Sequence, residues 1–169
     1  MSDTKSRRIL ILGSCWSGKS HLIKRLENFC SSSKENHNEF ILTKPTVGRT
    51  ITSIKYQSKH FLELHEVGGK LVSSWNNYYM NNCYEKLIYV IDSTQPWTIS
   101  FTFEQLKEIS NQIPIRSKNI LLIFNKVNEY HSLNKFALME LLDLNSLWKE
   151  KVQIRNHMNI MESKNILSY

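Results

Sequence analysis

One octapeptide, GSCWSGKS at residues 13–20, restricts the possible folds of this chain more than any other feature. It matches the phosphate-loop pattern GxxxxGK(S/T), a glycine-rich turn between a strand and a helix. Both flanks agree, because residues 8–12 predict a buried strand and residues 19–30 predict a helix with one apolar face. The alternative is a chance glycine-rich turn before a helix. The octapeptide therefore predicts a phosphate-binding loop in a fold that alternates strands and helices.

The residue types in this loop predict a site for phosphates and Mg²⁺. The backbone N–H groups of residues 14–19 would surround a β-phosphate at the positive end of the following helix. The Lys19 ammonium would neutralise phosphate oxygens, and the Ser20 hydroxyl would be a direct ligand of Mg²⁺. The bulky Trp16 is unusual in such a loop, and it would either shield the phosphates or crowd them. The predicted phosphate-binding residues are Gly13, Ser14, Cys15, Trp16, Ser17, Gly18, Lys19 and Ser20.

Length and composition limit the class of protein. The 169 residues are 41% hydrophobic, which predicts one domain over residues 1–169. No apolar stretch is suited to a secretory signal or a membrane span, and the three cysteines show no paired spacing. We therefore expect a cytoplasmic protein with reduced thiols. The formal charge of +7 is spread along the chain, so it gives no reason to expect a nucleic-acid partner.

Hydrophobic periodicity extends the alternation of strands and helices along the chain. Further strands are predicted at residues 50–57, 60–67, 85–91, 119–124 and 151–155. Further helices are predicted at residues 100–113 and 134–144, and the polar stretch 31–39 predicts a surface loop. This order predicts an α/β fold of the P-loop NTPase type, with a mostly parallel six-stranded sheet and helices on both faces. Because few residues follow the last strand, we expect a truncated C-terminal helix.

Four further segments resemble the ADP-ribosylation-factor-like family of small GTPases. They are PTVG at 45–48, EVGGK at 66–70, DS at 92–93 and NKVN at 125–128. The resemblance covers about residues 8–128. It implies a G-domain that binds GTP or GDP with Mg²⁺ and switches the binding of protein effectors.

The resemblance also implies roles for individual residues. Thr46 would close over Mg²⁺ and the γ-phosphate, the Gly69 N–H would contact that phosphate, and the hairpin between them would slide. The alternative for Thr46 is a turn residue after Pro45. The metal-binding residues implied in this way are Ser20, Thr46 and Glu66. The residues implied for the guanine base are Asn125, Lys126 and Asn128.

This chain departs from the family pattern at several positions. Lys70 replaces the glutamine that orients the attacking water, so slow or absent intrinsic GTP hydrolysis is expected. Asn128 replaces an aspartate that accepts two hydrogen bonds from guanine, so weaker guanine binding and better tolerance of xanthine are expected. Glu66 replaces an aspartate and is one methylene longer. Near the C-terminus, Ser163 and Lys164 are only a weak substitute for the family's serine-alanine-lysine loop.

Three functions remain open at this point. The first is a GTP-binding switch with weak hydrolysis, and the second is a non-catalytic pseudo-GTPase that serves as an interaction module. The third is a small P-loop kinase. It is disfavoured because such a kinase usually needs several arginines to bind its phosphates, and the only arginines after residue 50 are Arg116 and Arg155. No glycine follows Met1, so no myristoyl anchor is expected. The sequence predicts neither the effector nor the oligomeric state.

Overall fold

The strands in the described part of the chain form one sheet. The structure, a computed structural model, describes residues 5–31, 42–56, 60–80, 83–112, 120–148 and 153–156. The strands are β1 (Lys5–Leu12), β2 (Arg49–Tyr56), β3 (His60–Val67), β4 (Lys86–Asp92), β5 (Ile120–Asn125) and β6 (Gln153–Asn156). Their order across the sheet is β2-β3-β1-β4-β5-β6.

The pairing of the strands follows the predicted pattern. β2 and β3 pair antiparallel as a hairpin, and all other neighbours pair parallel. The central strands β4 and β5 are buried almost throughout, as expected for parallel strands covered on both sides. The predicted α/β fold with a mostly parallel six-stranded sheet is therefore confirmed.

The helices cover both faces of this sheet. They are α1 (Lys19–Cys30), α2 (Trp75–Tyr79), α3 (Ile99–Gln112), α4 (Lys135–Leu141) and α5 (Leu144–Trp148), with single 3-10 turns at Val72–Ser74 and Pro96–Thr98. On one face, Leu22, Ile23 and Leu26 of α1 pack into one core cluster with side chains of the sheet. On the other face, side chains of α2, α3, α4 and α5 form a second cluster. Helices on both faces were predicted, and this is confirmed.

Two helical segments differ from the prediction. The helix predicted at 134–144 is divided into α4 and α5, because Asp143 adopts a positive φ of 43° that ends a right-handed helix. The Asn134 side chain caps the first part by accepting a hydrogen bond from the Ala137 N–H at 2.9 Å. Helix α2 was not predicted, since five residues are too few to show a helical period. Its buried Trp75 and Tyr79 fix it to the core.

Some expectations concern residues outside the described part of the chain. They are most of the polar loop at 31–39, the truncated closing helix, and the pair Ser163 and Lys164. Among the described residues, no helix combines the length and the hydropathy that a membrane span needs.

Candidate functional site

The loop of residues 13–18 leaves the end of β1 and enters α1 under tight steric control. Gly18 has a φ of 94°, and a Cβ at that position would clash with the Asn125 side chain. The space left by this glycine lets Asn125 Nδ2 donate to the Ser17 carbonyl at 2.7 Å. The end of β5 therefore braces the phosphate loop through Asn125, one of the residues that the family resemblance assigned to the guanine base.

Lys19 lies buried within this loop. Its Nζ donates to the carbonyl oxygens of Gly13 at 2.9 Å and Ser14 at 2.8 Å. Burial lowers the pKa of Lys19, and the nearby Glu66 carboxylate opposes that shift. The loop thus holds a cation at a fixed position between its own carbonyl groups and an acidic strand end.

Three oxygen-bearing side chains from separate segments meet beside Lys19. The Ser20 hydroxyl donates to Glu66 Oε1 at 2.7 Å, and the Thr46 hydroxyl donates to the same oxygen at 2.8 Å. The two hydroxyl oxygens are 3.2 Å apart. Glu66 is buried at the end of β3, so these hydrogen bonds compensate the cost of burying its charge. The structure thus brings together the three residues that the sequence analysis assigned to Mg²⁺.

The chemistry of this group fits Mg²⁺. Hydroxyl and carboxylate oxygens are the hard donors that Mg²⁺ prefers, and the ion usually keeps waters and phosphate oxygens as its other ligands. One carboxylate and two hydroxyls leave positions for both.

The segment after β3 lies against the phosphate loop. A Cβ at Gly69 would clash with the backbone of Cys15, and a Cβ at Gly68 would clash with the Thr46 carbonyl. The Gly68 N–H donates to the Gly48 carbonyl at 2.9 Å, and Trp75 Nε1 donates to the Gly68 carbonyl at 3.3 Å. The two segments expected to act as switches are therefore in contact with each other and with the loop.

A cavity of about 140 Å³ lies where these segments meet, and we call it the phosphate-side cavity. Lys70 is exposed and is part of its lining. The lining residues are Cys15, Trp16, Gly18, Lys19, Ser20, Thr43, Lys44, Pro45, Thr46, Val47, Glu66, Gly69 and Lys70.

A second cavity, of about 600 Å³, lies next to the first, and we call it the base-side cavity. Its volume is within the range of about 300–1,000 Å³ typical of small-molecule sites. The exposed Asn128 is part of its lining, together with Trp16, Gly18, His21, Arg25, Thr43, Asn125, Lys126, Val127 and Glu129.

One partner within this site was not predicted. Lys126 Nζ donates to Asp92 Oδ2 at 2.6 Å, and Asp92 Oδ1 accepts from the N–H and the hydroxyl of Thr94. Asp92 is buried at the end of β4 and pairs with Asn125 in the register of β4 and β5. The sequence analysis recognised the DS segment. It did not predict the ion pair of Asp92 with Lys126, because that pair depends on the register of β4 and β5, which the sequence does not give.

Cavity-lining residues outside the motifs were missed as well. Thr43, His21 and Arg25 belong to no motif, and only their position in the fold brings them to the site. Burial lowers the pKa of His21, and the charges of Arg25 and Lys24 lower it further. This side of the site therefore carries permanent positive charge beside a histidine that resists protonation.

Comparisons with known proteins agree with this arrangement. The model of the ADP-ribosylation factor family matches residues 1–167, and the chain belongs to that family. It is 33% identical over 120 residues to ADP-ribosylation factor-like protein 16 of Homo sapiens, covering 70% of this chain and 59% of that protein. It is also 33% identical over 112 residues to ADP-ribosylation factor-like protein 5A of Rattus norvegicus, covering 65% of this chain and 61% of that protein. The chain thus spans about three fifths of the length of these relatives.

A solved structure is similar in fold. It is the Arl6 BBS3 small GTPase from Trypanosoma brucei with the bound nucleotide analogue GppNp. The TM-score is 0.72, the identity is 17%, and the match covers 97% of this chain and 96% of that one. At that identity the likeness concerns the fold alone. The family predicted from the sequence is confirmed.

Proposed function

We propose that this chain is a nucleotide-dependent switch that binds GTP or GDP with Mg²⁺ and hydrolyses GTP slowly or not at all without help. The observation that carries the proposal is the convergence of Ser20, Thr46 and Glu66 on one point beside Lys19. These residues come from α1, from the segment before β2 and from β3. Such a convergence of distant oxygens beside a phosphate-loop lysine has little purpose in a structural turn.

The phosphate-binding part of the proposal uses residues 13–20. Lys19 supplies a positive charge, and the start of α1 supplies backbone N–H groups with the positive end of its dipole. Ser20, Thr46 and Glu66 are the proposed holders of Mg²⁺. When bound, Mg²⁺ would supply positive charge that neutralises phosphate oxygens.

The switch in this proposal rests on contacts of two segments. Thr46 and Gly69 would touch the γ-phosphate side, and both already lie at the phosphate-side cavity. Loss of those contacts would change the surface that protein effectors bind. The identity of the effector, and the sliding of the hairpin, are parts of the proposal that rest on family membership.

The base-binding part of the proposal uses Asn125, Lys126 and Asn128. Asp92 fixes Lys126 and Asn125 braces the loop, so both would position the base by holding the surrounding structure. An amide at Asn128 offers one acceptor and one donor, whereas guanine presents two donors. We therefore propose weakened guanine affinity and better acceptance of xanthine.

Slow hydrolysis is proposed from Lys70. A lysine ammonium has three donors and no acceptor, so it does not provide the paired donor and acceptor of a glutamine amide. Because Lys70 is exposed at the edge of the phosphate-side cavity, the loss would leave the attacking water without an orienting group.

We also propose the cytoplasm as the compartment of this protein. Cys15, Cys30 and Cys83 are free thiols, which suits a reducing environment.

The proposal is tested by titrating the purified protein with fluorescent GTP, GDP and XTP analogues in Mg²⁺. Lys19→Ala is the loss-of-binding variant, and Lys107→Ala, an exposed lysine on α3, is the matched control. We expect saturable binding that Lys19→Ala abolishes and Lys107→Ala leaves unchanged. A folded wild-type sample that binds none of the three nucleotides would overturn the proposal and favour an interaction module that works without nucleotide.

A further inference from the structure

The two cavities of the candidate site share a boundary. Among the described residues, Trp16, Gly18 and Thr43 line both of them. A nucleotide has its phosphates at one end and its base at the other, joined by the ribose. A molecule that occupied both cavities would therefore pass this boundary at its ribose and α-phosphate.

Of the described residues that line both cavities, Trp16 has the largest apolar side chain. Its side chain is 67% exposed, and none of the ring contacts found among the described residues involves it. The indole therefore has apolar surface that a ligand would cover, with a free-energy gain roughly proportional to the area removed from water.

The backbone at Trp16 is strained. Trp16 has a φ of 63°, a left-handed conformation that is uncommon for a bulky residue. Glycine would adopt it without strain. A tryptophan at this position therefore costs folding free energy, and backbone strain of this kind is concentrated at ligand-binding and active sites.

We propose that the Trp16 indole covers the ribose and α-phosphate of the bound nucleotide and slows its dissociation, with Thr43 as a second residue that lines both cavities. This inference rests on the proposed function, because it requires that the two cavities hold a nucleotide. It resolves the two alternatives for the indole in favour of shielding. In the crowding alternative, removal of the indole would make binding tighter.

The test measures the dissociation rate of fluorescent GDP and GTP analogues in Mg²⁺, chased with excess unlabelled nucleotide. Trp16→Ala removes the indole, and Trp16→Phe keeps a smaller aromatic face. The matched control is Trp97→Ala, because Trp97 is 76% exposed and lines neither cavity. We expect dissociation about tenfold faster for Trp16→Ala, which corresponds to about 1.4 kcal/mol. Trp16→Phe should lie between, and Trp97→Ala should match wild type.

A second variant separates ligand contact from backbone strain. Trp16→Gly removes the indole and also relieves the left-handed strain. The nucleotide-free protein should then be at least as resistant to urea as wild type, while the nucleotide dissociates as fast as from Trp16→Ala. A merely structural role for Trp16 would change stability and leave the dissociation rate alone.

Each other outcome counts against the inference. Unchanged or slower dissociation from Trp16→Ala would overturn it while nucleotide binding by the wild type still supported the proposed function. Equal acceleration in Trp97→Ala would show a general loss of structure and would also overturn it. Absence of binding to folded wild-type protein would overturn this inference and the proposed function together.

Discussion

The phosphate-side and base-side cavities share one loop but hold their polar groups differently. On the phosphate side, Ser20, Thr46 and Glu66 are already joined by hydrogen bonds, and Glu66 is buried. On the base side, Lys126 is also held by an ion pair, but Asn128, the residue proposed to contact guanine, is exposed. Groups that are fixed before a ligand arrives lose less entropy on binding. The phosphate-binding part of the proposed site is therefore more preorganised than the base-binding part. Base specificity should accordingly be easier to change by substitution than phosphate binding.

The largest effect is expected from a substitution at Gly18, which lines both cavities and packs against the Asn125 side chain. In Gly18→Ala the new Cβ would clash with Asn125 Nδ2 at a position where φ is already 94°. We expect the free energy of unfolding to fall by roughly 2–4 kcal/mol. We also expect the variant to lose nucleotide binding, because both cavities would be disturbed. Urea denaturation and nucleotide titration measure the two effects.

The matched control for this variant is Gly48→Ala. Gly48 also has a positive φ, 80°, but a Cβ there would meet nothing within 4 Å. The free energy of unfolding of Gly48→Ala should therefore fall by only about 1 kcal/mol, the cost of the left-handed conformation. Equal losses in the two variants would contradict the role given to the contact between Gly18 and Asn125.

The ease of predicting the fold from the sequence differed between regions for physical reasons. α1 and β3 were predicted with the observed bounds, because a glycine-rich turn precedes the helix and apolar and polar residues partly alternate along the strand. The division between α4 and α5 was not predicted, because the left-handed conformation of Asp143 does not change the hydrophobic periodicity of the sequence. α2 is held by the contacts of Trp75, which a five-residue pattern does not reveal.

The site divides in a similar way. The phosphate loop follows from the residues themselves, whereas the grouping of Thr46 and Glu66 with Ser20 came from family resemblance. The ion pair of Lys126 with Asp92 depends on the register of β4 and β5, and sequence spacing does not give register. The position of Trp16 at both cavities, and its positive φ, are known only from the folded loop.

The next effect in size comes from Asn128→Asp, which should strengthen the base side. A carboxylate accepts two hydrogen bonds from guanine, and a hydrogen bond to a charged group contributes about 1.5–3 kcal/mol. We expect GTP to bind roughly tenfold to a hundredfold more tightly, and XTP to bind more weakly. Competition between the two nucleotides measures the ratio.

Asn128→Ala is the control for that change. It removes the amide without adding a charge, so it should not favour GTP over XTP. If Asn128→Asp left the ratio of GTP to XTP affinity unchanged, the base would not be read at this position.

A smaller effect is expected on the phosphate side from Lys70→Gln. The amide would supply the donor and acceptor pair that orients water, so single-turnover GTP hydrolysis should rise by about tenfold. Lys70→Ala removes the charge without adding an amide, and it should stay at the wild-type rate. If both variants hydrolysed GTP equally fast, the lysine charge itself would be the obstacle and the argument from water orientation would be wrong.

The smallest expected effect is the pH dependence that His21 gives to the nucleotide-free protein. Burial lowers the pKa of His21, and Arg25 and Lys24 lower it further, while Lys126 and Glu129 line the same cavity. Because the folded pKa lies below the unfolded value of 6.5, the unfolded chain takes up the proton first as the pH falls. The stability linked to neutral His21 is therefore complete above about pH 6.5 and is lost below it.

His21→Gln should accordingly flatten the decline in the free energy of unfolding between pH 7.5 and 5.5, measured by urea denaturation. The effect is small because the side chain is only half-buried and solvent screens its charge. His65 remains, and burial lowers its pKa as well, so the decline should lessen without disappearing. An unchanged slope in His21→Gln would mean that the base-side cavity holds His21 no differently from a surface histidine.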